Sequence, residues 1–175
     1  MVKSYPTYTA RTPRVHRRVA ACGLVLAAML AGCTPAAAPP SAIPLRNPTA
    51  PLGGTTRFNV NDFAGDWHTV VCLGRCADHA RYAVATDGVF LRQTAEGTVP
   101  YLQSGPGVLR QNGGGGTLVV MWVDEGFRTA AVGDADGAWA AVIDRRVGGA
   151  ADRLTAATEI LDFYGWDVSQ LRKVN

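Results

Sequence analysis

The chain is poor in serine and histidine, the residues that many hydrolases use for nucleophilic catalysis. Its serines after residue 33 are Ser41, Ser104 and Ser169, and none lies in a Gly-x-Ser-x-Gly nucleophile motif. The two histidines in the same part, His68 and His79, have no evident nucleophile near them in the sequence. We therefore predict that the protein is not an enzyme and that it carries no cofactor.

Positive charge is also scarce once the first 32 residues are set aside. Five of the 17 Lys and Arg residues precede Cys33, whereas all 14 Asp and Glu residues follow it, so the chain from Cys33 onward has a formal charge of −2. This balance provides no basic face for a nucleic acid, and we predict no nucleic-acid partner. No second apolar run is long enough to predict a membrane span.

A basic stretch followed by an apolar run opens the chain. The run, Val19–Leu30, is too short to span a bilayer comfortably, and this order of charge and hydrophobicity is typical of a secretory signal. The four residues that end it, Leu30-Ala31-Gly32-Cys33, resemble the lipobox of bacterial lipoproteins. The resemblance implies that residues 1–32 are removed as a signal peptide and that Cys33 carries acyl chains. The alternative is an ordinary cleavable signal followed by a chance cysteine.

A lipidated Cys33 would fix the protein to a membrane from outside the cytoplasm. Several acyl chains anchor a protein almost permanently, because each buried methylene contributes about 0.8 kcal/mol. Thr34, rather than aspartate, follows the cysteine, and by resemblance to enteric lipoproteins this favours sorting to the outer membrane. We expect a lipid-anchored protein of the bacterial cell envelope, on the outer membrane facing the periplasm; the sequence does not predict an oligomeric state.

The next segment, residues 33–54, is rich in alanine and proline and has almost no periodic apolar pattern. Such a composition is typical of a semi-extended, disordered tether. The remaining residues, 55–175, are enough for one compact domain and hardly for two.

Two cysteines remain after the signal and the lipobox, and only three residues lie between them. Outside the cytoplasm such thiols usually pair, and Gly74 allows the turn that a Cys72–Cys76 disulfide needs. The alternative is a metal site formed by these cysteines with His68 and His79, although the spacing is not a standard zinc pattern. An isomerase that uses a free Cys72 is a further alternative, and thiol titration would separate it from the disulfide.

From residue 66 onward the chain consists of short apolar segments separated by turn residues. Asp87-Gly88 is a strong hairpin signal, and no connection is long enough for a crossover helix, which favours an antiparallel meander. Eight such strands remove their exposed edges by closing into a barrel. We predict an all-β fold, an eight-stranded antiparallel up-and-down barrel with one C-terminal helix, 150–164, on its outside. The predicted strands are 66–73, 81–86, 89–94, 98–103, 107–111, 117–123, 127–132 and 138–144.

Several motifs, in the same order along the chain, resemble those of the lipocalins. A lead-in that ends in Gly65-Asp66-Trp67 resembles the lipocalin opening, the segment 122–133 resembles the second motif, and 139–145 resembles the third. The tail, 160–171, is similar to that of bacterial, apolipoprotein D-like lipocalins. The strands between Leu73 and Gln111 are shorter than is usual in that family.

The motif residues also have a physical interpretation. The indole of Trp67 can plug the closed end of a small barrel, Gly65 lets the chain pass beneath it, and the guanidinium of Arg145 can stack on the ring. We interpret these three residues, with Asp124 and Phe127 of the second motif, as a structural signature rather than as a binding site.

The resemblance implies a barrel that binds a small hydrophobic ligand, such as a fatty acid or a lysophospholipid, for storage or transport in the cell envelope. Small inward residues would leave room for such a ligand, whereas four aromatic residues could fill the interior: Trp122, Phe90, Tyr101 and Tyr82. If they do, the alternative is a structural or protein-interaction lipoprotein with a filled barrel. The candidate lining residues are Thr69, Val71, Ala83, Tyr101, Ala130 and Ala141.

Overall fold

The protein forms a closed antiparallel barrel followed by one long helix, as seen in a computed structural model that describes residues 44–174. A short helix, α1 (Val60–Phe63), precedes the first strand, and α2 (Ala151–Phe163) follows the eighth. A last short strand, β9 (Arg172–Lys173), pairs with the first. The barrel strands are β1 (Gly65–Gly74), β2 (His79–Val84), β3 (Phe90–Thr94), β4 (Gly97–Gly105), β5 (Val108–Gln111), β6 (Thr117–Val123), β7 (Thr129–Asp134) and β8 (Trp139–Asp144).

Each barrel strand pairs with the next strand in the chain, and β1 pairs with both β2 and β8. The sheet therefore closes on itself and leaves no unpaired edge among these eight strands. At Asp87-Gly88 a tight turn connects β2 to β3, and Gly88 has a φ of +82° that glycine adopts without strain. The predicted fold class, an eight-stranded up-and-down barrel with one C-terminal helix outside it, is confirmed.

The alternating strand directions give the barrel two different ends. The closed end carries α1, the start of β1 and the β6–β7 connection. The open end carries the end of β1, the β3–β4 turn and the β7–β8 turn.

Two hydrophobic clusters lie on the two faces of the sheet. The inner cluster fills the barrel, whereas the outer cluster joins the sheet to α2 through Ala157 and Leu161, which are fully buried. Neighbours along a strand point to opposite faces, so β8 places Ala141 inside and Ala140 outside. The same alternation decides which residues can face a ligand.

The chain before α1 is packed onto the barrel, which corrects the prediction of a disordered tether for residues 44–54. Arg46 is buried, its Nε donates to the carbonyl of Tyr164 at 2.9 Å, and its backbone forms a β-bridge with Trp166. Leu45 and Leu52 contact the outer cluster. Proline-rich composition did not predict this order, because a single buried arginine with carbonyl partners fixes the segment. Residues 44–174 lie in one compact unit that contains these strand pairings and both clusters.

Within residues 44–174, no helix combines the length and the hydrophobicity that crossing a bilayer requires. The predicted signal peptide, the acylated Cys33 and the tether up to residue 43 lie outside the described residues.

Candidate ligand-binding site

Aromatic side chains fill the closed half of the barrel. Phe63 stacks on Trp67 with ring centroids 4.6 Å apart, and Tyr82 stacks on Phe90 at 5.5 Å. Phe58 bridges the two pairs, 5.3 Å from Phe63 and 5.9 Å from Phe90. All five side chains are buried, so no ligand reaches this half without moving them.

Trp67 and Arg145 form a fully bonded pair at the closed end. The Arg145 Cζ atom lies 4.0 Å from the centroid of the Trp67 ring, and the indole Nε1 donates to the Phe63 carbonyl at 2.8 Å. The guanidinium of Arg145 donates to the carbonyls of Asp62, Phe63, Asp66 and Phe127 at 2.9–3.2 Å. Each of the three nitrogens of this guanidinium thus donates to at least one backbone carbonyl.

Gly65 and the second motif support the same end. A Cβ atom on Gly65 would lie 2.8 Å from Nη1 of Arg145, and the φ of Gly65 is +107°. The Asp124 carboxylate accepts from the backbone N–H groups of Arg128 at 2.6 Å and Thr129 at 2.8 Å. Phe127 has a φ of +50°, and its carbonyl is one of the four that Arg145 contacts. The five signature residues therefore meet at the closed end.

The six candidate lining residues do not share one face. Tyr101, Ala130 and Ala141 belong to the inner cluster, and Thr69 is buried with its hydroxyl donating to the Ala77 carbonyl at 2.6 Å. Val71 contacts the outer cluster instead.

The placement of Val71 and Ala83 corrects the predicted lining set. A β-bulge between Thr69 and Val71 shifts the alternation of β1 by one residue, so that Val71 points outward. In β2 the inward residue is Tyr82, and Ala83 therefore lies on the outer face. The pattern of apolar residues reveals neither the bulge in β1 nor the register of β2, because valine and alanine suit both faces of a sheet.

A pocket of about 280 Å³ opens at the open end of the barrel. None of the six predicted residues lines it, because they lie deeper in the barrel or on its outside. Its walls come from β3, β4, the start of β8 and the loop after β1. They are Arg75, Cys76, Ala77, Arg92, Thr94, Glu96, Gly97, Thr98, Val99 and Trp139.

Arg92 is the inward cationic side chain of this pocket. Its Cζ atom lies 5.2 Å from the centroid of the Trp139 ring, and its Nε atom is buried without a hydrogen-bond partner in residues 44–174. No carboxylate in the same residues lies within 4.0 Å of its guanidinium, the distance of an ion pair. A buried donor that lacks a partner costs about 1–3 kcal/mol, so the barrel holds this charge at some expense of stability.

Two tyrosines lie below the guanidinium. The register pairs Tyr82 directly with Arg92 across β2 and β3, and it places Tyr101 opposite Phe90 on β4. Burial raises the pKa of both phenols above the ordinary value of about 10. The positive charge of Arg92 opposes the increase in both, and for Tyr82 a hydrogen bond with the Arg92 side chain opposes it as well. Both remain neutral near pH 7 and can donate hydrogen bonds.

Two carboxylates belong to the open end. Asp134 ends β7 opposite Leu118 of the inner cluster; burial raises its pKa, and the nearby Asp136 adds to the increase. Glu96 lies in the β3–β4 turn, fully exposed; a hydrogen bond from Thr94 lowers its pKa, and Arg92 contributes a smaller decrease. Neither is close enough to form an ion pair with Arg92.

Cys72 and Cys76 form a disulfide, as predicted, with an S–S distance of 2.04 Å. Cys72 is buried, whereas Cys76 is half-buried and lines the pocket. The bonded sulfurs are not free for metal binding or for isomerase chemistry. His68 and His79 face each other with ring centroids 5.2 Å apart, and His79 contacts Asp66 at 3.3 Å. No group of three or more potential metal ligands occurs in residues 44–174.

Arg92 and Trp139 line the pocket but are not among the predicted site residues. The signal was present: an arginine at an even spacing from Phe90 shares its face, and Phe90 is a natural inward residue. Trp139 was counted only as part of a motif.

No protein-family model matches the chain, and no curated protein matches its sequence. Among solved structures it is similar to the major allergen Per a 4 from cockroaches, with 12% identity, a TM-score of 0.53, and coverage of 74% of this chain and 96% of that one. It is also similar to lobster apocrustacyanin A1, with 14% identity and a TM-score of 0.46, and to apocrustacyanin C1, with 12% identity and a TM-score of 0.49. Each of these two matches covers 66% of this chain and 78% of the other. The likeness to the cockroach protein shows the fold, a lipocalin-like barrel, and nothing finer.

Proposed function

We propose that this protein binds one small hydrophobic ligand in the pocket at the open end of its barrel. The observation that supports the proposal is the pocket itself, which has apolar walls at Trp139 and Val99 above a filled interior. Concave sites with apolar walls and a few polar groups are where small ligands usually bind.

The size of the pocket limits the ligand. Its volume of about 280 Å³ equals the volume of roughly nine water molecules at ~30 Å³ each. A chain of about eight carbons fills such a space, whereas the tail of a long fatty acid or lysophospholipid would extend beyond the rim. Burial of about 200 Å² of apolar surface gives about 5 kcal/mol before the costs of association, so we expect a Kd of roughly 0.2 mM or weaker.

A neutral alcohol series tests this proposal without involving charge. Hexan-1-ol, octan-1-ol and decan-1-ol are titrated into uniformly ¹⁵N-labelled protein while amide chemical shifts are followed. We expect saturable shifts at residues 75–77, 92–99 and 139. Affinity should rise about fourfold per added methylene up to about eight carbons and then level off, because later carbons leave the pocket.

Two tryptophan substitutions on β4 provide a matched pair. Val99→Trp places an indole in the pocket, whereas Leu102→Trp adds the same indole on the exposed outer face of the same strand. Octan-1-ol binding should be lost in the first variant and kept in the second. Absence of saturable shifts in the wild type, or binding that survives Val99→Trp, would refute the proposed site.

A second candidate function follows from the filled half of the barrel. Because five buried aromatic residues occupy the closed half, the protein could act through its outer surface as an interaction lipoprotein of the envelope. Phe163 of α2, 69% exposed, is a large apolar residue on that surface. Failure of the alcohol titration would favour this function.

The anchor at Cys33 remains part of the proposal. It is supported by the lipobox-like Leu30-Ala31-Gly32-Cys33. Mass spectrometry of the protein from its bacterial host should show an N-terminal, acylated Cys33, and Cys33→Ser should release the protein from the membrane. An unmodified Cys33 would exclude the anchor.

A further inference from the structure

The guanidinium of Arg92 is the feature of the open end that the fold does not explain. It lies in a pocket wall with a buried Nε that has no partner in residues 44–174, beside a tryptophan ring. The other buried unpartnered nitrogen in these residues is Nε1 of Trp166. That group is neutral and packs in the outer cluster, where it faces no such pocket. Among residues 44–174, only Arg92 combines charge, an unsatisfied donor and an adjoining cavity.

The charges that face Arg92 leave the pocket cationic. Glu96, on the same hairpin as Arg92, is fully exposed at the rim. Arg75, in the loop after β1, is also exposed. From β7 comes Asp134, which is not a pocket residue. The two neighbouring phenols, Tyr82 and Tyr101, carry no charge near pH 7. Tyr82 forms a hydrogen bond with the Arg92 side chain, in which its oxygen accepts, but the Nε of Arg92 has no partner in residues 44–174.

We infer that Arg92 binds the carboxylate of a small amphipathic anion whose apolar part packs against Trp139 and Val99. This inference rests on the proposed function, because it names the chemistry of the ligand in the same pocket. A guanidinium matches the planar geometry of a carboxylate and can form two parallel hydrogen bonds with it. The carboxylate supplies the acceptor that the buried Nε lacks.

The apolar walls favour an amphiphile over a free inorganic anion. An inorganic anion would use the charge of Arg92 but would leave Trp139 and Val99 without a contact. A medium-chain carboxylate uses both, and its length is limited by the pocket to about eight carbons, as argued from the volume of about 280 Å³. The ligand therefore enters with its head toward Arg92 and its tail toward the rim.

The test compares octanoate with octan-1-ol, two ligands of the same length that differ in charge. Both are titrated by calorimetry into the full chain. Octanoate should bind the wild type about 10–100-fold more tightly than octan-1-ol, because hydrogen bonds to a charged group in a partly buried site are strong. In Arg92→Met this preference should disappear while octan-1-ol still binds.

Arg110→Met is the matched control. It removes the same charge from an exposed position on β5 and should leave both affinities unchanged. If Arg92→Met does not fold, Arg92→Lys and the salt dependence of the wild type replace it. Octanoate affinity should fall in Arg92→Lys, because an ammonium cannot form the bidentate contact. It should also fall with added salt, whereas octan-1-ol affinity should not.

The outcomes separate this inference from the proposed function. If octan-1-ol and octanoate bind equally in the wild type, or if Arg92→Met keeps the preference for octanoate, the anion inference is wrong and the hydrophobic pocket stands. If neither ligand binds, both are wrong. If acetate or inorganic phosphate binds as tightly as octanoate, the site takes free anions and the amphiphile is excluded.

Discussion

The two ends of the barrel each place an arginine beside a tryptophan ring, and the two pairs differ in their hydrogen bonding. At the closed end Arg145 lies 4.0 Å from the centroid of the Trp67 ring and donates to four backbone carbonyls. At the open end Arg92 lies 5.2 Å from the centroid of Trp139, and its buried Nε has no partner in residues 44–174.

The difference follows from what the chain supplies at each end. The closed end is covered by α1 and by the β6–β7 connection, whose free carbonyls point at Arg145. The open end is bordered by the loop after β1 and by the β3–β4 and β7–β8 turns, and within residues 44–174 these provide no acceptor for the Nε of Arg92. The same pair of residue types is thus a structural element where backbone acceptors surround it and a candidate binding element where they do not.

Removal of the two indoles should give the largest contrast between the ends. Trp67→Ala should lower the free energy of unfolding by about 3–5 kcal/mol, because it deletes a fully buried aromatic ring and the platform under Arg145. Trp139→Ala should cost about 1 kcal/mol or less, because that ring is only half-buried, yet it should weaken octan-1-ol binding at least tenfold. Guanidinium-induced unfolding and the NMR titration measure the two effects.

The outer-face Trp122, also half-buried, serves as the control for loss of an indole. Trp122→Ala should leave octan-1-ol binding unchanged. Equal destabilisation by Trp67→Ala and Trp139→Ala would contradict the distinction between a structural end and a binding end.

Replacement of the two arginines by methionine, which keeps an apolar stem, should give a smaller contrast. Arg145→Met should cost about 2–3 kcal/mol of unfolding free energy, because four carbonyls lose their charged donor. Arg92→Met should change stability by less than about 0.5 kcal/mol, or increase it, because it removes an unsatisfied buried donor. Urea-induced unfolding of both variants at one pH checks this, and a loss of 2 kcal/mol in Arg92→Met would make Arg92 a structural residue.

The sequence predicted the fold well because each of its signals was local. Turn residues such as Asp87-Gly88 bounded the strands, and the predicted strand 117–123 and the predicted helix 150–164 agree with Thr117–Val123 and Ala151–Phe163. Closure of the barrel followed from the strand number and the short connections. The disulfide followed from the two cysteines alone.

The site could not be predicted to the same degree, because it depends on register. The bulge between Thr69 and Val71 reverses the face of every later residue in β1, and no residue type in this segment predicts a bulge. Nor can the sequence show that five aromatic side chains fill the closed half of the barrel and leave the other half open. Trp139 and Arg92 become neighbours only through a contact across the barrel mouth.

The smallest contrast between the two ends is in the pKa of one carboxylate near each, Asp124 at the closed end and Asp134 at the open end. Burial raises the pKa of Asp124, but the N–H groups of Thr129 and Arg128 and the charge of Arg128 outweigh it, so the pKa is lowered overall. Its stabilising effect is therefore complete above the unfolded pKa, about 3.9, and is lost as the pH falls through the lower folded value. For Asp134 burial dominates and the pKa is raised. Its contribution to stability is most favourable below about pH 3.9, the pKa of the unfolded state, and is lost as the pH rises through the pKa of the folded state.

Asparagine substitutions at these two positions should change the free energy of unfolding in opposite directions. Asp124→Asn should cost about 1–2 kcal/mol at pH 7, because two backbone N–H groups lose a charged acceptor. The cost should be smaller at pH 3, which lies below the unfolded pKa of about 3.9. Asp134→Asn should cost nothing at pH 7 and gain a few tenths of a kcal/mol, since solvent screens most of the penalty that the substitution relieves. Urea unfolding at the two pH values measures both. Because the closed end is stabilised by its charges and the open end is not, a loss of stability in Asp134→Asn that equals the loss in Asp124→Asn would mean that both ends are built alike.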